Sequence, residues 1–91
     1  MTKLSESAVK EQLEQLAGWQ LSGNTITKKF TLPSFKEAIT FVNRVADLAE
    51  AADHHPDFTI NYRNVTLTLS THSEGGITEN DIRLAKQIEA V

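Results

Sequence analysis

Residues 34–62 read SFKEAITFVNRVADLAEAADHHPDFTINY, and the change of period inside this stretch decides the fold. From Ser34 to about His54 the apolar residues recur at helical spacing. At about 100° per residue, Phe35, Ala38, Ile39, Val42, Ala46 and Ala49 share one stripe. Ser34 and Glu37 have the spacing of a capping box at its start. Pro56 ends the helix and pushes His55 out of helical backbone space. Beyond it the period falls to two. Phe58, Ile60 and Tyr62 alternate, Arg63-Asn64 turn, and Val65, Leu67 and Leu69 alternate back as a hairpin.

The same alternation appears upstream. Trp19 and Leu21 lead to a turn at Ser22-Gly23-Asn24, and Ile26, Phe30 and Leu32 return, with Lys28 interrupting their face. Before that hairpin, Leu4, Val9, Leu13 and Leu16 recur at helical spacing. Ser5 is the candidate cap, Leu4 and Val9 the hydrophobic staple, and Gly18 the stop. After the second hairpin, Gly75-Gly76 breaks the chain and Thr78 caps a last helix carrying Ile82, Ala85 and Ile88. The order is α-β-β-α-β-β-α. It predicts one α+β domain over residues 1–91, with an antiparallel four-stranded sheet and the helices packed on one face.

Composition narrows the function. The chain has 91 residues, and a protein of this size hides roughly 64% of its unfolded surface, enough for one core. It has no cysteine, so disulfides, thiolate metal sites and a cysteine nucleophile are excluded. Nine basic residues against twelve acidic ones give a net charge of −3, the wrong sign for direct nucleic-acid binding. The start lacks the apolar core of a signal peptide, and no apolar run approaches the ~18 residues of a membrane span. A cytoplasmic location without membrane attachment is the expectation.

The long helix is apolar over too wide an arc. Phe41, Val45, Leu48 and Ala52 widen its stripe to roughly 180°, where one core contact needs about 100°. Two contacts are expected, the sheet of its own subunit and a partner chain, which makes a homo-oligomer. The alternative is a helix sunk deeply in a single core.

All three histidines lie between positions 54 and 72, at the ends of elements. If the helix reaches His54, Glu50 shares its face four residues away, able to accept from one imidazole nitrogen and leave the other free to exchange protons. His55 must point elsewhere. The same helix end carries Asp47, Glu50 and Asp53, where the macrodipole favours cations; a local rule broken in this way tends to mark a functional site. The histidines offset those acids equally well as charged C-cap groups. His72, if the strand stays extended, shares a polar face with Thr66, Thr68 and Ser70, where a solvated role is the plain alternative. Asp81 completes a Thr78-x-x-Asp81 capping box, so a structural role and a functional one fit it alike. Tyr62 and Trp19 are expected to pack in the core.

As metal ligands, Glu50, His54, His55, His72 and Asp81 are all suitable types. Adjacent histidines diverge by about 100° in a helix and about 180° in a strand, however, and the spacing fits no helical zinc pattern. No metal is expected. Gly75-Gly76 lacks the lysine of a phosphate loop, and no serine sits on a nucleophile elbow.

The stretch Glu50-Ala-Ala-Asp53-His54-His55-Pro56, followed by Tyr62, Ser70-Thr71-His72 and Ile77-Thr78-x-x-Asp81, resembles the signature of the pterin-4a-carbinolamine dehydratases. The likeness extends upstream through Gly18-Trp19, Ile26, Phe30, Phe35, Ala38, Phe41 and Val45-Ala46. It implies removal of water from 4a-hydroxytetrahydropterin to give quinonoid dihydropterin, in tetrahydropterin recycling, with neither metal nor organic cofactor. It places catalytic roles on Glu50, His54, His55, His72 and Asp81, and pterin contacts on Asp53, His54, His55, Ser70, Thr71, His72 and Ser73. It also implies a homodimer or homotetramer and, in some relatives, a transcription-factor partner. Two positions depart from the pattern: Phe58 stands where many members carry tryptophan, and Ser73 where an acid often follows the third histidine. Imidazoles, with an ordinary pKa of about 6.5, suit proton transfer in both directions at neutral pH. The expectation is that His54, oriented by Glu50, and His72 form the main proton-transfer pair, with His55 positioning the hydroxyl and Asp81 biasing a histidine's charge. The competing readings are an interaction module using Phe41, Val45, Leu48 and Ala52, and a small metal-binding protein.

Overall fold

A computed structural model of the protein describes residues 2–91. Its elements are α1 (Glu6–Leu13), β1 (Gln20–Ser22), β2 (Thr25–Thr31), α2 (Phe35–Ala52), β3 (Asp57–Asn61), β4 (Asn64–Leu69) and α3 (Glu79–Glu89), with a short 3-10 turn at His72–Glu74. The four strands form one antiparallel sheet in the order β1-β2-β4-β3. This is the α+β arrangement that the alternating periods predict.

Register sorts the two faces of the sheet. Ile26 lies opposite Leu69, Phe30 opposite Val65, and Phe58 opposite Leu67, so the apolar residues meet beneath the helices. Val65, Leu67 and Leu69 are fully buried. The other face pairs Thr27 with Thr68, Lys29 with Thr66 and Thr31 with Asn64, and is polar throughout. Lys28 sits in the apolar row opposite Leu67 without breaking the pairing. Its stem lies along the core, and its ammonium reaches Ala17 O (2.8 Å) and Glu89 Oε1 (2.6 Å) over the Phe30 ring. Trp19 is buried as expected and meets Phe30 edge-on.

The helix starts follow the sequence. Ser5 Oγ accepts from Ala8 N, and Ser34 Oγ accepts from Glu37 N. Both the acceptor and donor halves of the Thr78–Asp81 capping box are formed. The arc of α2 resolves into two stripes. Ala38, Phe41, Val45 and Ala49 are buried, whereas Ile39, Val42 and Ala46 are half-buried and Phe35 is half-exposed. This corrects the expected partner surface. Phe41 and Val45 belong to the core, and only Leu48 and Ala52 of that group retain exposure.

Tyr62 departs from expectation as well. It occupies the tip of the β3–β4 hairpin at φ 59° and is two-thirds exposed. A reversal between Asn61 and Asn64 requires a left-handed residue there, and the side chain is then directed off the sheet.

Candidate active site

The site begins where α2 stops. Asp53 adopts the left-handed conformation (φ 50°, ψ 43°) usually left to glycine, and the chain closes with His54 N–H to Ala49 O (3.0 Å) and Asp53 N–H to Glu50 O (3.2 Å). This is a Schellman cap. An aspartate is among the few residues that tolerate that backbone. The helix therefore ends at Ala52, and His54 lies beyond it.

The reversal redirects both histidines. His55 Nε2 meets Glu50 Oε1 at 3.0 Å, with both side chains largely exposed. His54, its side chain only 13% exposed, hydrogen-bonds through Nε2 to Asp81 Oδ1 at the start of α3. The pairing of Glu50 with His54 is thus corrected. It required four residues of continuous helix, and the left-handed turn at Asp53 removes the last of them. Glu50 serves His55 instead.

Asp81 is fully buried, and its carboxylate is saturated. Oδ1 takes His54, while Oδ2 accepts from Thr78 N–H (2.9 Å) and from Thr71 Oγ1–H (2.8 Å). Buried charge is costly unless paired and hydrogen-bonded, and here both conditions hold. The capping box holds the carboxylate that in turn holds the histidine.

Thr71 carries the third segment into the site. β4 stops at Leu69, Thr71 bridges to Gly76 across a short loop, and His72 opens the 3-10 turn. The extended strand that would have ranged His72 with Thr66, Thr68 and Ser70 ends too early for that. His72, Ser73 and Asp53 are exposed, and Ser70 is half-buried. The backbone N–H of Leu4 donates to Ile77 O at 2.7 Å, tying the N-terminal segment to the far end of this loop.

The profile of the Pterin 4 alpha carbinolamine dehydratase family matches residues 2–91. The chain belongs to that family. A relative from Roseiflexus sp. (strain RS-1) is 53% identical over 90 residues, covering 99% of this chain and 97% of its own. One from Sulfurisphaera tokodaii is 46% identical over 89 residues, covering 98% and 96%. Both are named, provisionally, as pterin-4-alpha-carbinolamine dehydratases. Among solved structures, a transcriptional coactivator/pterin dehydratase from Brucella melitensis aligns with TM-score 0.94 at 41% identity, covering 98% of this chain and 97% of that one. A pterin dehydratase-like protein described as a RuBisCO assembly factor in the alpha-carboxysome shares the fold at TM-score 0.65 and 22% identity, covering 79% and 83%.

In this dehydratase-family chain the signature residues fall into two groups. His54, Asp81, Thr71 and Thr78 are joined by hydrogen bonds across three segments. Glu50 and His55 form a separate outer pair, and His72 stands next to Thr71 without a side-chain bond of its own to that network. The residue that sequence reasoning undervalued is Thr78, read only as a cap. The signal was present, since a capping-box acid pairs with a serine or threonine three positions before it. Four surface clefts of about 160–260 Å³ each among the described residues are lined by other side chains than the histidines. Among the described residues no three His, Asp or Glu side chains converge where they could hold a metal ion, and no helix is long and apolar enough to cross a membrane.

Proposed function

We propose that the protein dehydrates 4a-hydroxytetrahydropterin to quinonoid dihydropterin and water by histidine acid/base catalysis, within tetrahydropterin recycling in the cytoplasm. The observation that carries this reading is the His54–Asp81 bond. A half-buried imidazole is held by a saturated, buried carboxylate, which leaves one ring nitrogen for chemistry. Family membership supplies the pterin.

The reaction needs one proton delivered to the departing hydroxyl as the carbon–oxygen bond breaks. A second proton leaves the adjacent ring nitrogen as the carbon–nitrogen double bond forms. Nothing is oxidised or reduced, so side chains suffice, and neither metal nor organic cofactor is required. His54 and His72 are the main proton-transfer pair, with His54 oriented by Asp81. His55, paired with Glu50, takes the hydroxyl or the opposite face. Asp53, Ser70, Thr71 and Ser73 contact the pterin, and the positioned acid/base histidines contribute ~10²–10⁴-fold each. The deciding experiment generates the 4a-hydroxypterin in situ and follows ultraviolet absorbance with and without protein, in chelator. Acceleration that survives chelator is expected. No acceleration, or acceleration that chelator abolishes, overturns the reading.

The protein acts as a homodimer or homotetramer through the outer stripe of α2. Phe35, at 50% exposure, with Ile39, Val42 and Ala46 forms an apolar strip left over once the core stripe is buried. Sizing the purified protein and its Val42→Glu variant tests this: the variant is expected to dissociate while folded. A monomeric wild type sinks the assembly.

A further inference from the structure

We propose that a one-way hydrogen-bond chain fixes neutral His54 as its Nε2–H tautomer, leaving Nδ1 as the working atom, and that Thr71 and Thr78 are positioning residues acting through Asp81. This rests on His54 being the proton-transfer group named above.

The direction of the chain follows from its two ends. At one end the Asn80 backbone N–H, which can only donate, lies 3.3 Å from Thr78 Oγ1. At the other end the Asp81 carboxylate accepts. Thr71 Oγ1 is 2.8 Å from Asp81 Oδ2, so Thr71 places its single hydrogen there. The 2.8 Å contact between the two threonine hydroxyls then has only one permitted sense: Thr78 O–H donates to Thr71 Oγ1. Oδ2 also receives the Thr78 N–H. With two donors on Oδ2, Oδ1 faces the His54 ring as an acceptor, and the proton of that bond sits on Nε2.

Burial makes the polarity persistent. Thr78 and Asp81 are fully buried, and Thr71 is half-buried, so water competes poorly for these groups, and bonds aligned in one sense polarise one another. The hydroxyl of Thr71 has no second hydrogen to give a pterin. The influence of that hydroxyl on the reaction therefore runs through Asp81, and the contact of Thr71 with the pterin is left to its backbone and methyl group.

The test reads the His54 ring by ¹⁵N NMR in the intact wild-type protein, with His55→Gln and His72→Gln spectra assigning the remaining signals. In the neutral ring, a protonated, pyrrole-type Nε2 and a bare, pyridine-type Nδ1 are expected. A pyridine-type Nε2, or an even mixture, overturns the tautomer without any variant being needed. Thr71→Val removes one donor from the carboxylate. It is expected to perturb the His54 ring signals and lower kcat on the order of tenfold with KM within about twofold, while Thr71→Ser restores both. Thr71→Ala serves the same purpose if the valine variant does not fold. A folded Thr71→Val or Thr71→Ala protein with wild-type ring signals and wild-type kcat removes the positioning role. The ring spectra need no substrate. An inactive wild type with the expected tautomer sinks the proposed reaction alone, and an active wild type with mixed tautomers sinks this inference alone.

Discussion

Two histidine–carboxylate pairs stand within a few residues of each other, and they differ in almost every physical respect. His54 and Asp81 join parts of the chain 27 residues apart, with side chains 13% and 0% exposed. His55 and Glu50 are five apart and 57% and 77% exposed. The inner carboxylate has three partners from three segments, whereas the outer pair has a single hydrogen bond and open solvent. The same two functional groups thus serve as a structural keystone in one place and as a loosely held surface pair in the other. Any account that lets both carboxylates orient their histidines equally must meet this difference.

The sharpest way to break the comparison is to remove the inner carboxylate. Asp81→Ala deletes the acid half of the α3 capping box and strands the Thr71 and Thr78 donors. The loss of stability should be about 3 kcal/mol, a cap at ~1 kcal/mol plus buried donors left unpaired. It should appear as a lowered denaturant midpoint with an unchanged slope. Dehydration should fall with it. An Asp81→Ala protein as stable as wild type would show that the keystone is an ordinary surface group.

Removing the inner imidazole separates chemistry from scaffold. His54→Ala should lose about 10²-fold or more in dehydration rate while remaining folded, since the capping box survives without the ring. Circular dichroism reports the fold and the absorbance assay the rate. Unchanged turnover would transfer the proton-transfer role away from His54. For the wild type, a pair of imidazoles needed in opposite protonation states should give a bell-shaped rate profile. A flat profile between pH 5 and 9 would argue against imidazole catalysis altogether.

The contrast also explains what could be read from the chain and what could not. Element order was legible because it depends on local periods: Val65, Leu67 and Leu69 alternate, and Ile82, Ala85 and Ile88 recur, whatever else the chain does. The candidate residues of the site stood out because their types and spacings are unusual. Their partners were not. The choice between Glu50 and Asp81 for His54 turns on one backbone dihedral at Asp53, and a single left-handed residue reverses which side chain faces which helix. His72 illustrates the same limit, because the exit of β4 at Leu69 is set by the Thr71–Gly76 bridge and not by alternation. Likewise the arc of α2 showed that two surfaces exist, but only the packing against β4 and α3 decided which stripe, Phe41–Val45 or Ile39–Val42, became core.

The outer pair yields the smallest effect, and for that reason the most discriminating one. Glu50→Gln keeps size and hydrogen-bonding capacity and removes only the charge. An exposed ion pair contributes about 0–1 kcal/mol at best and is screened by salt, so the change in stability should stay within about 0.5 kcal/mol. Its effect on rate should be several-fold at most and well below that of Asp81→Asn measured in parallel, because Glu50 touches His55 and not His54. If the two variants lost activity equally, the outer carboxylate would be acting on the same imidazole as the inner one. The left-handed turn at Asp53 would then have to unwind during catalysis, letting the helix run on to His54 and bringing Glu50 to its side. The ranking of these two variants therefore tests the geometry of the helix end more closely than either loss alone.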